Sequence, residues 1–250
     1  MTAPFDLSSQ TILVTGAGRG LGRSAAIMLA ESGADIVAVS RTLSELETLK
    51  AEVEAAGQYC QIAALDVTDR AAVRTFIGGL TALHGVINNA GWNNPQHALD
   101  VDDESFDQIV DLNLRAAFTV AQAASKKFVA LKVPGSIVNM SSQMGHVGGP
   151  LRSAYCMSKF GLEGMTKAMA VDLAEHGIRV NTVAPTFVAT PLAGPFMENP
   201  EFRSFVLESI PMGKLATEDQ IAGACVYLCA PVSAMTTGTS IIVDGGWTAK

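Results

Sequence analysis

The sequence predicts a doubly wound α/β fold, a single domain on a parallel seven-stranded sheet with helices on both faces. Three observations carry this expectation. Short β-branched runs alternate with longer helical patterns almost to the carboxyl end. Most of these runs are continuously apolar rather than alternating, as strands buried on both faces of a parallel sheet are. A glycine-rich turn, TGAGRGLG, joins the first run directly to the first helical pattern.

In chain order, strands are expected at TILVTG (11–16), DIVAVS (35–40), QIAALDV (61–67), GVINN (85–89), GSIVNMS (135–141), IRVNTVAP (178–185) and SIIVDGG (240–246). Helices are expected near 23–32, 43–56, 70–80, 103–130, 152–175 and 218–230. Thr42 with Glu45, and Thr217 with Gln220, have the capping-box spacing. Gly33 and Gly57 are placed as helix stops before the next strand. The segment 186–213, rich in Pro, Phe and Gly, breaks the rhythm where loops at strand ends line ligand clefts. It reads as a substrate lid or, more plainly, as an irregular connection. No low-complexity linker or long repeat divides residues 1–250.

Composition agrees with one well-buried core: 48 % of the 250 residues are apolar and 16 % charged. A net charge of −7 argues against nucleic acid or an anionic membrane as partner. The amino terminus lacks the basic-then-apolar build of a secretory signal, and no stretch approaches the ~20 apolar residues of a membrane span. Cys60, Cys156, Cys225 and Cys229 show no paired metal spacing and read as free thiols of a cytoplasmic protein, and no metal site is expected.

In the glycine turn, Gly16, Gly20 and Gly22 are spaced G-x-x-x-G-x-G, with Gly18, Arg19 and Leu21 between them. Small residues here permit a tight turn and let backbone N–H groups and a helix amino end approach a pyrophosphate. In nucleotide-binding folds of this kind, an acid at the end of the second strand accepts from the ribose 2′-OH of NAD. Here that position is Ser40, followed by Arg41 and Thr42, while Asp35 lies at the wrong end of the strand. A carboxylate would repel a 2′-phosphate, whereas Arg41 can bond one and Arg19 rises toward the same corner. Two cations and no acid point to NADP(H), with NAD(H) as the alternative. The plainer reading of Arg41 is a solvated surface residue.

Tyr155 and Lys159 form Y-x-x-x-K within a helical pattern, so both side chains share one face. A phenol titrates near ~10 and a nearby ammonium favours its ionised form, moving it toward acid–base usefulness.

Together, TGAGRGLG, NNAG (88–91), a serine thirteen positions before the tyrosine, YCMSK and the closing VDGG resemble the short-chain dehydrogenase/reductase family, in family order and over nearly the whole chain. The resemblance implies a Rossmann-like fold and hydride transfer between a nicotinamide and a carbonyl carbon. Ser142 would hydrogen-bond the substrate oxygen, with Ser141 its competitor; Tyr155 would transfer the proton. Lys159 would lower the tyrosine pKa and hold the nicotinamide ribose, and Asn113 would anchor a proton-relay water. Asp66 and Val67 match the adenine-contacting pair. Asn89, Ala90 and Gly91 would flank the cofactor, and Asn88 would support the sheet. Pro185, Thr186, Val188 and Thr190 would line the nicotinamide. Such proteins commonly pair long helices between subunits, implying a homo-oligomer, a tetramer by resemblance.

Two features depart from the family pattern. Pro185-Thr186 stands where Pro-Gly is usual, and TALHGVINNAG is a short connection. The cleft is expected to include Trp92, Gln143, His146, Gly149, Arg152, Phe187 and Leu192. Trp92 reads equally as cleft wall or ordinary packing. Gln143 could bind a hydroxyl, and His146 reads as readily as a surface or supporting residue. Arg152 could greet an anionic substrate or merely start a helix. The mixture suits a small polar ketone, sugar or polyol. The alternatives are a 3-oxoacyl thioester reductase, which needs a basic surface for an acidic carrier, and a non-catalytic nucleotide sensor, against which the intact Tyr155 and Lys159 argue.

Overall fold

The computed structural model describes residues 4–190 and 198–250. Seven strands form one sheet: β1 (Thr11–Thr15), β2 (Asp35–Ser40), β3 (Cys60–Ala64), β4 (Gly85–Asn88), β5 (Gly135–Met140), β6 (Ile178–Pro185) and β7 (Ser240–Val243). All pair in parallel, in the order β3-β2-β1-β4-β5-β6-β7. The order reverses between β1 and β4, so the loops at their carboxyl ends part there and leave a crevice.

The helices among the described residues are α1 (Gly20–Glu31), α2 (Leu43–Ala55), α3 (Arg70–Gly79), α4 (Asp103–Val110), α5 (Ala117–Leu131), α6 (Ser153–Leu173), α7 (Pro200–Ser209) and α8 (Glu218–Cys229). Successive strand residues face opposite sides, and this splits the core in two. Ile12, Val14, Ile36, Ala38, Ile87 and Val138 pack under α1, α2 and α8. Leu13, Val37, Val39, Val86, Ile137 and Val180 pack under α3, α5 and α6. The second layer is anchored by Phe128, fully buried over Gly135, where a Cβ would collide with the ring. Truncating such a phenylalanine to alanine costs about 3–5 kcal/mol.

Four sequence expectations are corrected. The third strand stops at Ala64 rather than 67, because it is the sheet edge and Leu65–Val67 leave to form a turn. The helix expected over 103–130 is interrupted by a π-helical stretch, Asp111–Ala116, which periodicity at 3.6 residues cannot register. Thr42 makes no side-chain cap; its own N–H is taken by Ser40 Oγ at 3.3 Å, and Glu45 turns elsewhere. Helix α7 lies inside the segment expected to be irregular. Its signal was present in Asn199-Pro200-Glu201, a side-chain cap followed by proline in the first turn. The Thr217–Gln220 capping box forms in both directions.

Candidate active site

The glycine turn is built for backbone approach. Gly16 (φ +63°) and Gly20 (φ +58°) adopt left-handed conformations that disfavour any side chain. A Cβ on Gly22 would collide with the Gly16 carbonyl, so the loop closes tightly on the amino end of α1. Arg19, in extended conformation, is the N-cap, and no side chain caps that end, leaving its amides suited to an anion. Leu21 packs back on the core. Thr15 Oγ1 accepts the N–H groups of Asn89 (3.0 Å) and Ala90 (3.1 Å), and Asn89 Nδ2 donates to the carbonyls of Thr15 (3.0 Å) and Gly16 (3.3 Å). The NNAG turn is thereby lashed to the glycine loop across the reversal point. Asn88 is purely internal, donating to Ala117 O at 2.8 Å and Asn139 Oδ1 at 3.1 Å.

At the carboxyl end of β2, Ser40 is half-buried and Arg19, Arg41 and Thr42 are exposed. Asp35, at the other end, accepts the Tyr59 N–H at 2.9 Å and so helps tie β2 to the start of β3. Burial pushes the Asp66 carboxyl up, but bonds from Thr68 and the charge of Arg41 outweigh it and hold the group below its ordinary value. The charge of Arg41, though exposed, is thus felt at the Asp66 corner. Val67 beside it is buried. One acid does reach this corner, unforeseen from the sequence. Released from its cap, Glu45 lies against Gly18, where a Cβ would strike its carboxylate and come within 3.1 Å of Ser40 Oγ.

At the ends of β5 and α6 the polar groups converge. Ser142 Oγ donates to Gln143 Oε1 (3.0 Å) and accepts from the Met144 N–H (3.1 Å), and it lies near enough to the Tyr155 phenol to favour its ionised form. Ser141 Oγ is buried without a partner and points toward Gly145 instead. Lys159 Nζ donates to Met140 O at 2.8 Å and lies 5.5 Å from the centre of the Tyr155 ring. A Cβ on Gly91 would stand 3.3 Å from Asn113 Oδ1 and 3.7 Å from Lys159 Nζ, so the turn runs close against both side chains. Asn113, in the π stretch, accepts from the Trp92 N–H (2.8 Å) and donates to Trp92 O (2.9 Å) and Ser158 Oγ (3.0 Å). Ser158, missed in the sequence although it shares a helix face with Tyr155, donates in turn to Tyr155 O at 2.7 Å.

The electrostatics differ from the simple expectation that Lys159 depresses the tyrosine. Burial dominates and raises the Tyr155 phenol above its ordinary value, against opposition from the Ser142 bond and the charge of Arg152. Burial also lowers Lys159 to about 8, with Glu163 pulling it back up.

The cleft candidates separate. Gln143 and Arg152 are buried beside Ser142 and Tyr155, and Trp92 stays partly exposed at the rim. His146 Nε2 joins Ser240 Oγ (3.1 Å) and Glu163 Oε1 (3.3 Å), two turns or ~12 Å along α6 from Tyr155. Phe187 stacks on Phe202 (5.7 Å) and Trp247 (5.8 Å), an aromatic cluster the sequence pattern did not signal. Pro185, Thr186 and Val188 are buried at the end of β6; Thr186 Oγ1 has no partner, and Thr190 N–H bonds Val188 O at 2.8 Å. Leu192 lies outside the described residues.

This crevice agrees with what the chain is similar to. The family model described as enoyl-(acyl carrier protein) reductase matches residues 16–248. L-xylulose reductase of Bos taurus is 38 % identical over 97 % of this chain and 98 % of that protein. A short-chain type dehydrogenase/reductase from Mycobacterium marinum superposes with a TM-score of 0.93 at 34 % identity, covering 99 % of this chain and 98 % of the other. A gluconate 5-dehydrogenase from Burkholderia cenocepacia J2315, solved in complex with NADP and tartrate, gives 0.94 at 29 % identity over 99 % and 98 %. With the glycine turn, the NNAG turn and the Ser142–Tyr155–Lys159 group in these positions, the chain belongs to the short-chain dehydrogenase/reductase family.

Proposed function

We propose that this protein is an NADP(H)-dependent oxidoreductase interconverting a ketone and a secondary alcohol on a small polar substrate of the sugar or polyol kind. The observation that carries this reading is the gathering of Ser142, Tyr155 and Lys159 at the reversal crevice, opposite an uncapped helix end and a strand end bearing Arg41. The residues fit a dinucleotide: the glycine cradle leaves room for backbone contact, and Thr186 Oγ1 is a buried hydroxyl in want of a partner. Gly16 to Gly22 would hold the pyrophosphate, and Asp66 and Val67 the adenine. Ser40, Arg41 and Thr42 would hold the 2′-phosphate, and Asn89, Ala90, Gly91, Pro185, Thr186, Val188 and Thr190 the nicotinamide end.

When bound, the cofactor supplies or accepts the hydride at the carbonyl carbon. The remaining chemistry belongs to the chain. A phenol raised by burial is neutral at ordinary pH, so Tyr155 is armed to give its proton to the carbonyl oxygen during reduction. Ser142 donates to the same oxygen as charge develops there. Lys159 stabilises the phenolate that remains. Asn113 positions the group through Trp92 and Ser158, and the second lone pair of its Oδ1 is available to a relay water.

Residues 186–213, of which 191–197 lie outside the described residues, would serve as a substrate lid, and the Phe187–Phe202–Trp247 cluster joins α7 to the rest of the protein. Exposed apolar side chains on α5 and α6 (Phe118, Val129, Met157, Phe160 and Val171) support a homo-oligomer, a tetramer by family resemblance. No helix among the described residues is long and apolar enough to cross a membrane. Four free thiols, Cys60 pushed up to about 11 by burial and Cys229 to about 12, support a reducing, cytoplasmic setting.

The test is a panel of ketoses, keto acids and polyols followed by nicotinamide absorbance with both cofactors. Reduction of a polar ketone with NADPH is expected. Tyr155→Phe should lower kcat by roughly 10²–10⁴-fold while retaining NADPH binding, and undiminished turnover in that variant would overturn the mechanism.

A further inference from the structure

Arg152 has no visible structural employment. It is 9 % exposed, yet among the described residues its side chain makes a single hydrogen bond, a long one of 3.3 Å to the carbonyl of its own neighbour Leu151. None of the ion pairs among the described residues includes it, and residues 191–197 contain no acid in sequence. As N-cap of α6 it caps nothing with its side chain. A guanidinium stays charged, and burying one without an acidic partner is unfavourable, so a structural role alone does not account for it. The backbone is also held in an uncommon state to place it: Leu151, directly before, has φ +60°, a conformation costly for a bulky side chain. That carbonyl is fixed from the other side by the Gln96 N–H at 3.1 Å.

The neighbourhood is the reacting centre. Tyr155 is three residues on, in the first turn of the helix that begins directly after Arg152. The Arg152 charge acts on the Tyr155 phenol, and the Arg152 carbonyl receives the Cys156 N–H at 2.7 Å, locking this first turn.

We propose that Arg152 recognises a carboxylate on the substrate, and that the chain is therefore selective for keto acids of the sugar series over the corresponding neutral ketoses. The inference rests on the ketone–alcohol reading above. With the carbonyl oxygen held by Ser142 and Tyr155, the planar fork of Arg152 takes both oxygens of a carboxylate a few carbons away. That pairing neutralises the buried cation in the ternary complex, and a neutral hydroxymethyl group in the same place leaves it unpaired.

The experiment uses two matched pairs that differ only by a carboxylate in place of a hydroxymethyl group. These are 5-keto-D-gluconate with L-sorbose, and 2-keto-D-gluconate with D-fructose. With the full chain and NADPH, kcat/KM is expected to favour the acid by about tenfold or more in at least one pair. Arg152→Gln should collapse that acid-to-neutral ratio, and Arg152→Lys should recover part of it. In parallel, calorimetric titration of the NADP-loaded protein with D-gluconate and D-glucitol should show tighter binding of the acid, lost in Arg152→Gln.

Preference for the neutral ketose in both pairs overturns the proposal, as does equal affinity for gluconate and glucitol. A ratio unchanged in Arg152→Gln also overturns it, because an equal fall on both substrates means that the residue acts through Tyr155. Failure of the functional reading looks different: no ketone or alcohol is turned over with either cofactor, while the calorimetric comparison still decides the role of Arg152.

Discussion

At the residue scale, cofactor choice is a contest of charges at the end of β2. Arg41 and Arg19 would favour a 2′-phosphate; Glu45, turned onto Gly18 beside Ser40, would oppose it. Arg41→Asp should raise the KM for NADPH far more than that for NADH, by roughly tenfold or more for loss of a charge-assisted bond; steady-state assays with both cofactors read this directly. Lys159 carries a stability consequence. Its folded pKa of about 8 lies below the ordinary 10.5, so between these values the unfolded chain holds more of this proton than the folded one. Stability then rises with pH through that window, and the penalty is complete below it. Lys159→Met removes the penalty, so its stability relative to wild type should decline by up to about 3 kcal/mol between pH ~8 and ~10.5. Urea denaturation of both proteins across the range measures it, and a gap that does not narrow contradicts the buried-ammonium account. The Tyr155–Lys159 pair was legible as spacing, but the direction of the tyrosine shift was not, because burial depends on what the fold lays over the ring.

At the element scale, α8 begins with a complete capping box, Thr217 with Gln220, while α2 lacks the one its letters advertise. Thr217→Ala should cost about 1 kcal/mol in thermal or chemical unfolding. The two helices have the same local pattern and differ in their neighbours. Ser40 Oγ takes the Thr42 N–H, and the glycine loop offers Glu45 another resting place. The π stretch at 111–116 teaches a similar lesson. Asn113 was legible as a residue of interest. Its placement against Trp92 and Ser158 arises from a local change of helical pitch that the hydrophobic repeat does not encode. Helix α7, by contrast, had a readable start in Asn199-Pro200 that the surrounding Pro and Gly obscured.

At the scale of the whole molecule, the parallel sheet concentrates function at one edge. All strands run the same way, so the glycine turn, Ser40–Thr42, Asp66, NNAG, Ser142 and Pro185–Thr186 emerge on the same side. The apolar side chains left exposed on α5 and α6 predict self-association: light scattering at micromolar concentration should report a multiple of the 26.1 kDa chain mass, four times it for the tetramer, and a strict monomer would refute the interface. The sequence by itself determined the class of fold, the succession of strands that carry its motifs and the four-residue spacing of Tyr155 and Lys159, because continuous apolar runs, glycine spacing and a helical repeat are local properties. Only the tertiary structure decided which buried groups go without partners. Arg152, whose guanidinium has no acidic partner among the described residues, and Thr186, whose hydroxyl has none, acquire their meaning from what does not touch them, and that absence is a property of packing between distant segments, not of any stretch of the chain.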